Sequence, residues 1–195
     1  MRHAVAHRLL GVAALVGLGV GGFVVVDRAG RDDRARLTVV QELPDDVRVE
    51  LDDTWARFLD RFAGRRSCFD DVTLVLVDDV VGGDARYVVA DARIEIAIPT
   101  TPERFQESVA HELAHHVEHT CDEFSGLRAS LQPIIGSAGS WFEGPTWAET
   151  PSEIWAETVV EVVLGERIRH ADRITIDPEA QAAIEAWASD REPVG

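Results

Sequence analysis

The sequence contains no lysine. Its 19 basic residues are all arginine, 35 acidic residues outnumber them, and the formal charge is -16. Recognition of a phosphate backbone needs a basic stripe, and none is present, so a nucleic-acid partner is excluded. The acidity bears on solubility and partner choice, not on fold. Cysteine is also scarce: Cys68 and Cys121 are the only two, too few for a disulfide scaffold or a four-cysteine zinc site and enough for one bridge. Neither an internal repeat nor a low-complexity tract occurs. With 46% hydrophobic residues in 195, the chain can bury one sizeable core, which rules out fibrous and wholly disordered architectures.

One long apolar run is present. Residues 9–26 (LLGVAALVGLGVGGFVVV) carry no charge, with Arg2 and Arg8 before them and Asp27 and Arg28 after. As a helix they would span about 27 Å, just short of the roughly 30 Å hydrocarbon layer. The reading is a transmembrane signal anchor behind a short basic tail, residues 1–8. A cleaved signal peptide, with small residues at Gly21 and Gly22, is the alternative. The run continues through Phe23-Val24-Val25-Val26 instead of ending at a cleavage site, which favours the anchor. Four arginines (Arg28, Arg31, Arg34, Arg36) follow the run and two precede it, so the positive-inside count does not place the C-terminus outside. The cysteine pair in the large acidic portion does fit an oxidising compartment. The expectation is a single-pass cell-membrane protein with its domain outside the cytoplasm, or else a secreted one.

Residues 27–38 are charged and poor in large apolar groups, which predicts a stalk. Residues 39–195 are then one α+β domain of ordinary size. Asp52-Asp53-Thr54 ahead of Trp55, Phe58, Leu59 and Phe62 predicts a helix from 52 to about Gly64. The β-branched runs Val72–Val77 and 86–90 predict strands, as does 93–98, where Ile94, Ile96 and Ile98 alternate in period two. Thr101 as N-cap and Pro102 as the first helical residue open a long helix, 102–119, with Phe105, Val109, Leu113 and Val117 on its apolar face. A short helix at 125–135 ending near Pro133 follows, then a long loop at 136–150 in which Trp141 and Trp147 are candidates for a cleft wall. A helix over Pro151–Leu164 closed by Gly165, a short strand at 173–176 and a last helix at 178–189 complete the chain.

On the long helix stands His111-Glu112-Leu113-Ala114-His115. Four helical residues advance about 6 Å and turn about 40° past a full circle, so the two imidazoles project side by side and can close on one zinc. Glu112 lies about 100° round from His111, near the metal without ligating it, where it can take a proton from a water that the metal acidifies. His116 and His119 drift off the metal face and are read as solvent-exposed or as supports of the ligands. A third ligand has to come from elsewhere in the chain.

These residues resemble the zincin metallopeptidases, whose helical His-Glu-x-x-His signature matches His111, Glu112 and His115. The metzincin branch is excluded, because it needs a histidine where Cys121 stands and a downstream methionine, and Met1 is the only methionine. The gluzincin branch takes a glutamate from a later helix, and Ser152-Glu153-Ile154-Trp155-Ala156-Glu157 is similar to the glutamate helix of lethal-factor-like peptidases. The resemblance covers about residues 86–165. It implies a zincin-like domain with a small mixed sheet and Zn2+ as cofactor. His111, His115 and Glu153 would be the ligands, Glu157 would accept a hydrogen bond from a liganding histidine, and Glu112 would be the catalytic base. It also implies a protein or peptide substrate laid along the strand at 93–98 as a sheet edge. On the residues alone, Glu149 and Glu157 are the next candidates for the third ligand, and Glu153, Glu157 and Glu161 also fit a solvated i, i+4 face.

The sequence departs from the family in one respect. Lethal-factor-like enzymes place a tyrosine before the glutamate helix as an oxyanion donor, whereas Tyr87 is the only tyrosine here and precedes the metal helix. His170, Arg167 and Arg169 are the other candidates for that role. Cys68 and Cys121 are read as a disulfide tying the end of the metal helix to the entrance of the first strand, with metal ligation by Cys121 as the rival. Together these readings predict a membrane-anchored extracytoplasmic zinc endopeptidase. The alternative is a catalytically inactive zinc-containing binding or scaffold domain.

Overall fold

The computed structural model describes residues 24–26, 35–98, 100–136, 139–165, 167 and 174–190. Helices and strands segregate as in an α+β domain. A mixed sheet has the order β1-β2-β3-β5-β4, built from β1 (Val24–Val26), β2 (Leu37–Val39), β3 (Val72–Val77), β4 (Ala85–Val88) and β5 (Arg93–Ala97). β2, β3 and β5 run parallel, while β1 and β4 close the two edges antiparallel. The five helices are α1 (Asp45–Arg61), α2 (Pro102–Thr120), α3 (Phe124–Ile135), α4 (Pro151–Leu164) and α5 (Pro178–Ala188).

α2 is the central element and packs against α1, α4, β4 and β5. Its start follows from local chemistry: Pro102 sits in the first turn, and the Thr101 hydroxyl accepts the Arg104 N–H at 3.3 Å, a cap worth about 1 kcal/mol. Phe105, Val109, Leu113 and Val117 form one stripe, each no more than 1% exposed. Removing that stripe from water is the main force holding the helix down. α4 lies beside α2, fixed by the Trp155 indole N–H donating to the Ala114 carbonyl at 3.2 Å. Gly165 ends α4 in the left-handed region, φ +83°, with its N–H on the Glu161 carbonyl, as a helix C-cap requires. Behind these helices Phe58, Phe62, Phe69, Phe124, Trp155 and Trp187 join in edge and stacked contacts, which add to the area they bury.

Several expected boundaries move. α1 begins at Asp45, not 52: Leu51 extends the buried stripe N-terminally, and Thr54 is an interior residue whose hydroxyl donates to the Glu50 carbonyl at 2.8 Å. The stalk cannot reach residue 38, because Leu37 is fully buried and Leu37–Val39 pairs with Val72, Thr73 and Leu74. Of the apolar run at 9–26, residues 9–23 lie outside the described residues. Its last three, Val24–Val26, are the edge strand paired to β2. Among the described residues no helix is long and apolar enough to cross a membrane. The expected strand at 173–176 is absent among the described residues: 174–177 is unpaired, and the Ile174 carbonyl accepts from the Arg167 guanidinium at 3.0 Å. β5 is an inner strand, and the free edge on that side is β4. The period-two reading of β5 fails at Glu95, which is buried because Arg86 and Arg93 both reach its carboxylate, at 2.6 and 2.8 Å. Those guanidiniums hold the Glu95 pKa below the ordinary carboxylate value against the opposing effect of burial.

Cys68 and Cys121 form a disulfide across a sequence separation of 53. Both cysteines are buried, and the Thr120 hydroxyl donates to the Cys68 carbonyl at 3.1 Å beside them. In the chain-entropy picture, a loop of this length makes the bridge worth about 4 kcal/mol. The double variant Cys68→Ala, Cys121→Ala is therefore expected to unfold at markedly lower urea with a larger m-value, since its unfolded chain is less constrained. An unchanged midpoint would show that the bridge contributes nothing.

Candidate metal centre

His111 and His115 project from the middle of α2 into a cavity of about 510 Å³ whose other wall is α4 and the loop before it. Their Nε2 atoms are 3.1 Å apart. Glu153, in the first turn of α4, brings Oε2 to 3.1 Å from His111 Nε2 and 3.6 Å from His115 Nε2. One ligand atom from each of these three side chains lies within 4.8 Å of the others.

The outer face of each imidazole meets a second carboxylate. His111 Nδ1 donates to Glu157 Oε1 at 3.1 Å, and His115 Nδ1 donates to Glu118 Oε2 at 2.9 Å. Protons on Nδ1 leave the Nε2 lone pairs turned inward, the tautomer that metal ligation requires. In the neutral rings two imidazole lone pairs and a carboxylate converge, an arrangement that needs positive charge at its centre; with no cation bound, ring protons donated to Glu153 supply it. The donor set of two nitrogens and one oxygen suits zinc with one position left open.

Both supporting carboxylates are themselves held. Glu157 is buried, and its Oε2 accepts from Arg167 at 3.2 Å. Glu118 is buried and accepts from the Ser152 hydroxyl at 2.8 Å and from the Trp141 indole N–H. Glu118 was not singled out from the sequence. The signal was its i+3 spacing from His115 on a helix whose apolar face is already filled by Val117. Replacing Glu118 by Ala should weaken zinc binding about 10- to 100-fold, the usual cost of losing such a support. Competition against a zinc-sensitive chelator dye measures this, and an unchanged affinity would remove Glu118 from the site.

The electrostatics follow from this packing. Burial alone would lower the pKa of His111, but hydrogen bonds to Glu153 and Glu157 outweigh it and raise it to about 9. For His115, burial is likewise outweighed, by Glu118 and Glu153, and the pKa rises to about 10. Glu153 is pulled well below the carboxylate range: burial opposes this, and the two histidines prevail. For Glu157 burial is outweighed by His111 and then Arg167, again downward.

Glu112 is 5% exposed and lines the same cavity as the three ligand candidates. Glu149 is exposed, and its carboxylate accepts from the Thr146 hydroxyl at 2.7 Å, away from the histidines. Cys121 is in the disulfide and does not ligate. The alternative of a solvated i, i+4 face does not form, because Glu157 is buried against His111.

Among the remaining histidines and aromatic residues, His119 and Trp147 lie as expected, whereas His116 and Trp141 do not. His116 is fully buried instead of exposed: its Nε2–H donates to the Asp70 carbonyl at 3.1 Å, so its Nδ1 accepts from the Tyr87 hydroxyl at 3.0 Å. Burial lowers its pKa and keeps it neutral. His119 is exposed but does line the cavity. Trp141 is 4% exposed and supports Glu118 from behind, and only Trp147 of the two loop tryptophans is a wall residue. Of the proposed donors, Arg167 is engaged by Glu157 and the Ile174 carbonyl, while Arg169 and His170 lie outside the described residues.

No family model matches the chain, and no curated protein or solved structure is found similar to it.

Proposed function

We propose that the protein is a zinc-dependent endopeptidase of the zincin kind, with His111, His115 and Glu153 as metal ligands and Glu112 as the general base. The single observation behind this is the convergence of the two helical Nε2 atoms with the Glu153 carboxylate in a cavity that Glu112 also lines. Zinc held there supplies Lewis acidity toward a peptide carbonyl and lowers the pKa of water at its open position. The chain's own residues do the rest. Glu112 accepts a proton from the attacking water and returns it to the leaving amine. Glu157 and Glu118 keep the two rings oriented, and Arg167 holds Glu157 in place. Because β4 is the free edge and lines the cavity, an extended substrate segment pairs with β4, not with β5.

The N-terminal segment, on this reading, holds the domain on the outer side of the membrane. The rival reading, a metal-holding binding domain without turnover, is favoured by one observation: the hydroxyl of the only tyrosine is spent on His116, so no tyrosine serves as oxyanion donor. The two are separated by hydrolysis of an unstructured protein by the zinc-loaded full chain, with Glu112→Gln as control. Turnover that disappears in the variant supports the peptidase, and zinc binding without turnover supports the binding domain.

A further inference from the structure

Two large side chains stand half in solvent on the loop before α4, Phe142 at 49% and Trp147 at 48% exposure, and both line the metal cavity. Each is stacked on a histidine of α2: Trp147 lies on His111 with ring centroids 6.2 Å apart and planes 19° from parallel, and Phe142 lies on His119 at 5.3 Å and 11°. His119 is backed in turn by Tyr87 at 5.9 Å and 19°. The loop is held in this position. Trp141 anchors one end through Glu118, and its carbonyl accepts the Ser152 N–H at 3.0 Å. Gly144 passes so close to the strand of chain at 149–150 that a Cβ there would sit 2.6 Å from the Thr150 nitrogen. Exposed aromatic surface on a fixed loop is not needed for the core, and its position, one ring against the ligand His111 and the other against His119 one turn beyond the ligand His115, gives it a use.

We infer that Phe142 and Trp147 are two specificity subsites that flank the cutting position and select bulky apolar side chains of an extended polypeptide; this rests on the peptidase reading. His111 and His119 are eight residues apart on α2, about 12 Å along its axis. An extended chain covers about 3.3 Å per residue and turns every second side chain to the same face. The substrate therefore carries aromatic or large aliphatic residues at i and i+4, with the scissile bond between them, while its backbone pairs with the β4 edge. Acidic side chains are disfavoured at both positions because the negative ring faces repel them.

The test is digestion of a proteome-derived peptide library by the zinc-loaded full chain, with the Glu112→Gln protein as blank. Enrichment of Phe, Tyr, Trp, Leu or Met at two positions four apart and bracketing the cut is expected. Phe142→Ala should erase one preference at unchanged zinc content and unchanged melting temperature, and Trp147→Ala the other. As a reading apart from turnover, a peptide carrying the selected pair should bind the Glu112→Gln protein about 10- to 100-fold more weakly once Phe142→Ala is added, with Phe142→Leu restoring most of the affinity. Cleavage that depends on Glu112 but shows no apolar pair, or a pair that neither variant alters, overturns the subsites and leaves the peptidase standing. Absence of any Glu112-dependent cleavage overturns both.

Discussion

Replacing Glu112 by Gln is expected to lower peptide hydrolysis by a factor of about 10² to 10⁴, the range that a positioned general base supplies, while zinc content stays at the wild-type level. The separation of these two effects is the point of the substitution. Gln keeps the size of the side chain and removes only its capacity to take a proton. Glu112 is not among the three side chains whose atoms converge, so losing its charge leaves the ligand set intact. Its burial at 5% exposure also means that the neutral amide is no harder to bury than the carboxylate, and the fold should tolerate it. Metal analysis of the purified variant alongside a progress curve for a quenched peptide reads both quantities. Loss of zinc with loss of activity would move Glu112 from base to ligand or structural support. Full activity in the variant would remove the general-base role.

The parts of this site that were legible in the sequence are those set by a single element. On a helix the period fixes direction, so the spacing of His111 and His115 and the position of Glu112 could be read without knowing what packs on α2. Pro102, Thr101, Pro151 and Gly165 marked the ends of α2 and α4 through chemistry confined to one turn. What was not legible depends on contacts between elements. The strand at 93–98 has a clear alternating pattern, but its neighbours decide whether it is edge or interior, and β4 turned out to cover it. Glu95 in that strand reads as solvent-facing until Arg86 from the next strand reaches it. The burial of His116 is hidden from the sequence for the same reason, because Asp70 and Tyr87, distant in sequence, are what make a buried histidine acceptable. The role of Glu118 depends on Trp141 and Ser152, from a loop and a helix that follow it by more than 20 residues.

The second large effect concerns the competition between protons and metal. With no metal bound, His111 and His115 titrate near 9 and 10, because burial is outweighed by Glu153 with Glu157 for one ring and by Glu118 with Glu153 for the other. A group whose pKa is raised on folding stabilises the fold fully below its unfolded pKa, 6.5 for these histidines, and that contribution is lost as pH rises through the folded pKa. The metal-free protein should therefore lose stability between about pH 6.5 and 10. Zinc binding runs the opposite way, since it has to displace those protons and so tightens as pH rises through the same window. The melting temperatures of the metal-free and zinc-loaded proteins are then expected to diverge steadily from pH 6.5 to 9. Calorimetry in buffers of different ionisation heat should show about two protons released per zinc at neutral pH. Glu153→Ala removes both a ligand and the carboxylate shared by the two rings. It should weaken zinc binding by more than the roughly 100-fold upper end typical of a supporting residue, and it should flatten the pH dependence of the metal-free protein. Parallel melting curves with and without zinc across that pH range, or a Glu153→Ala protein that binds zinc as the wild type does, would show that these three side chains do not share one cation.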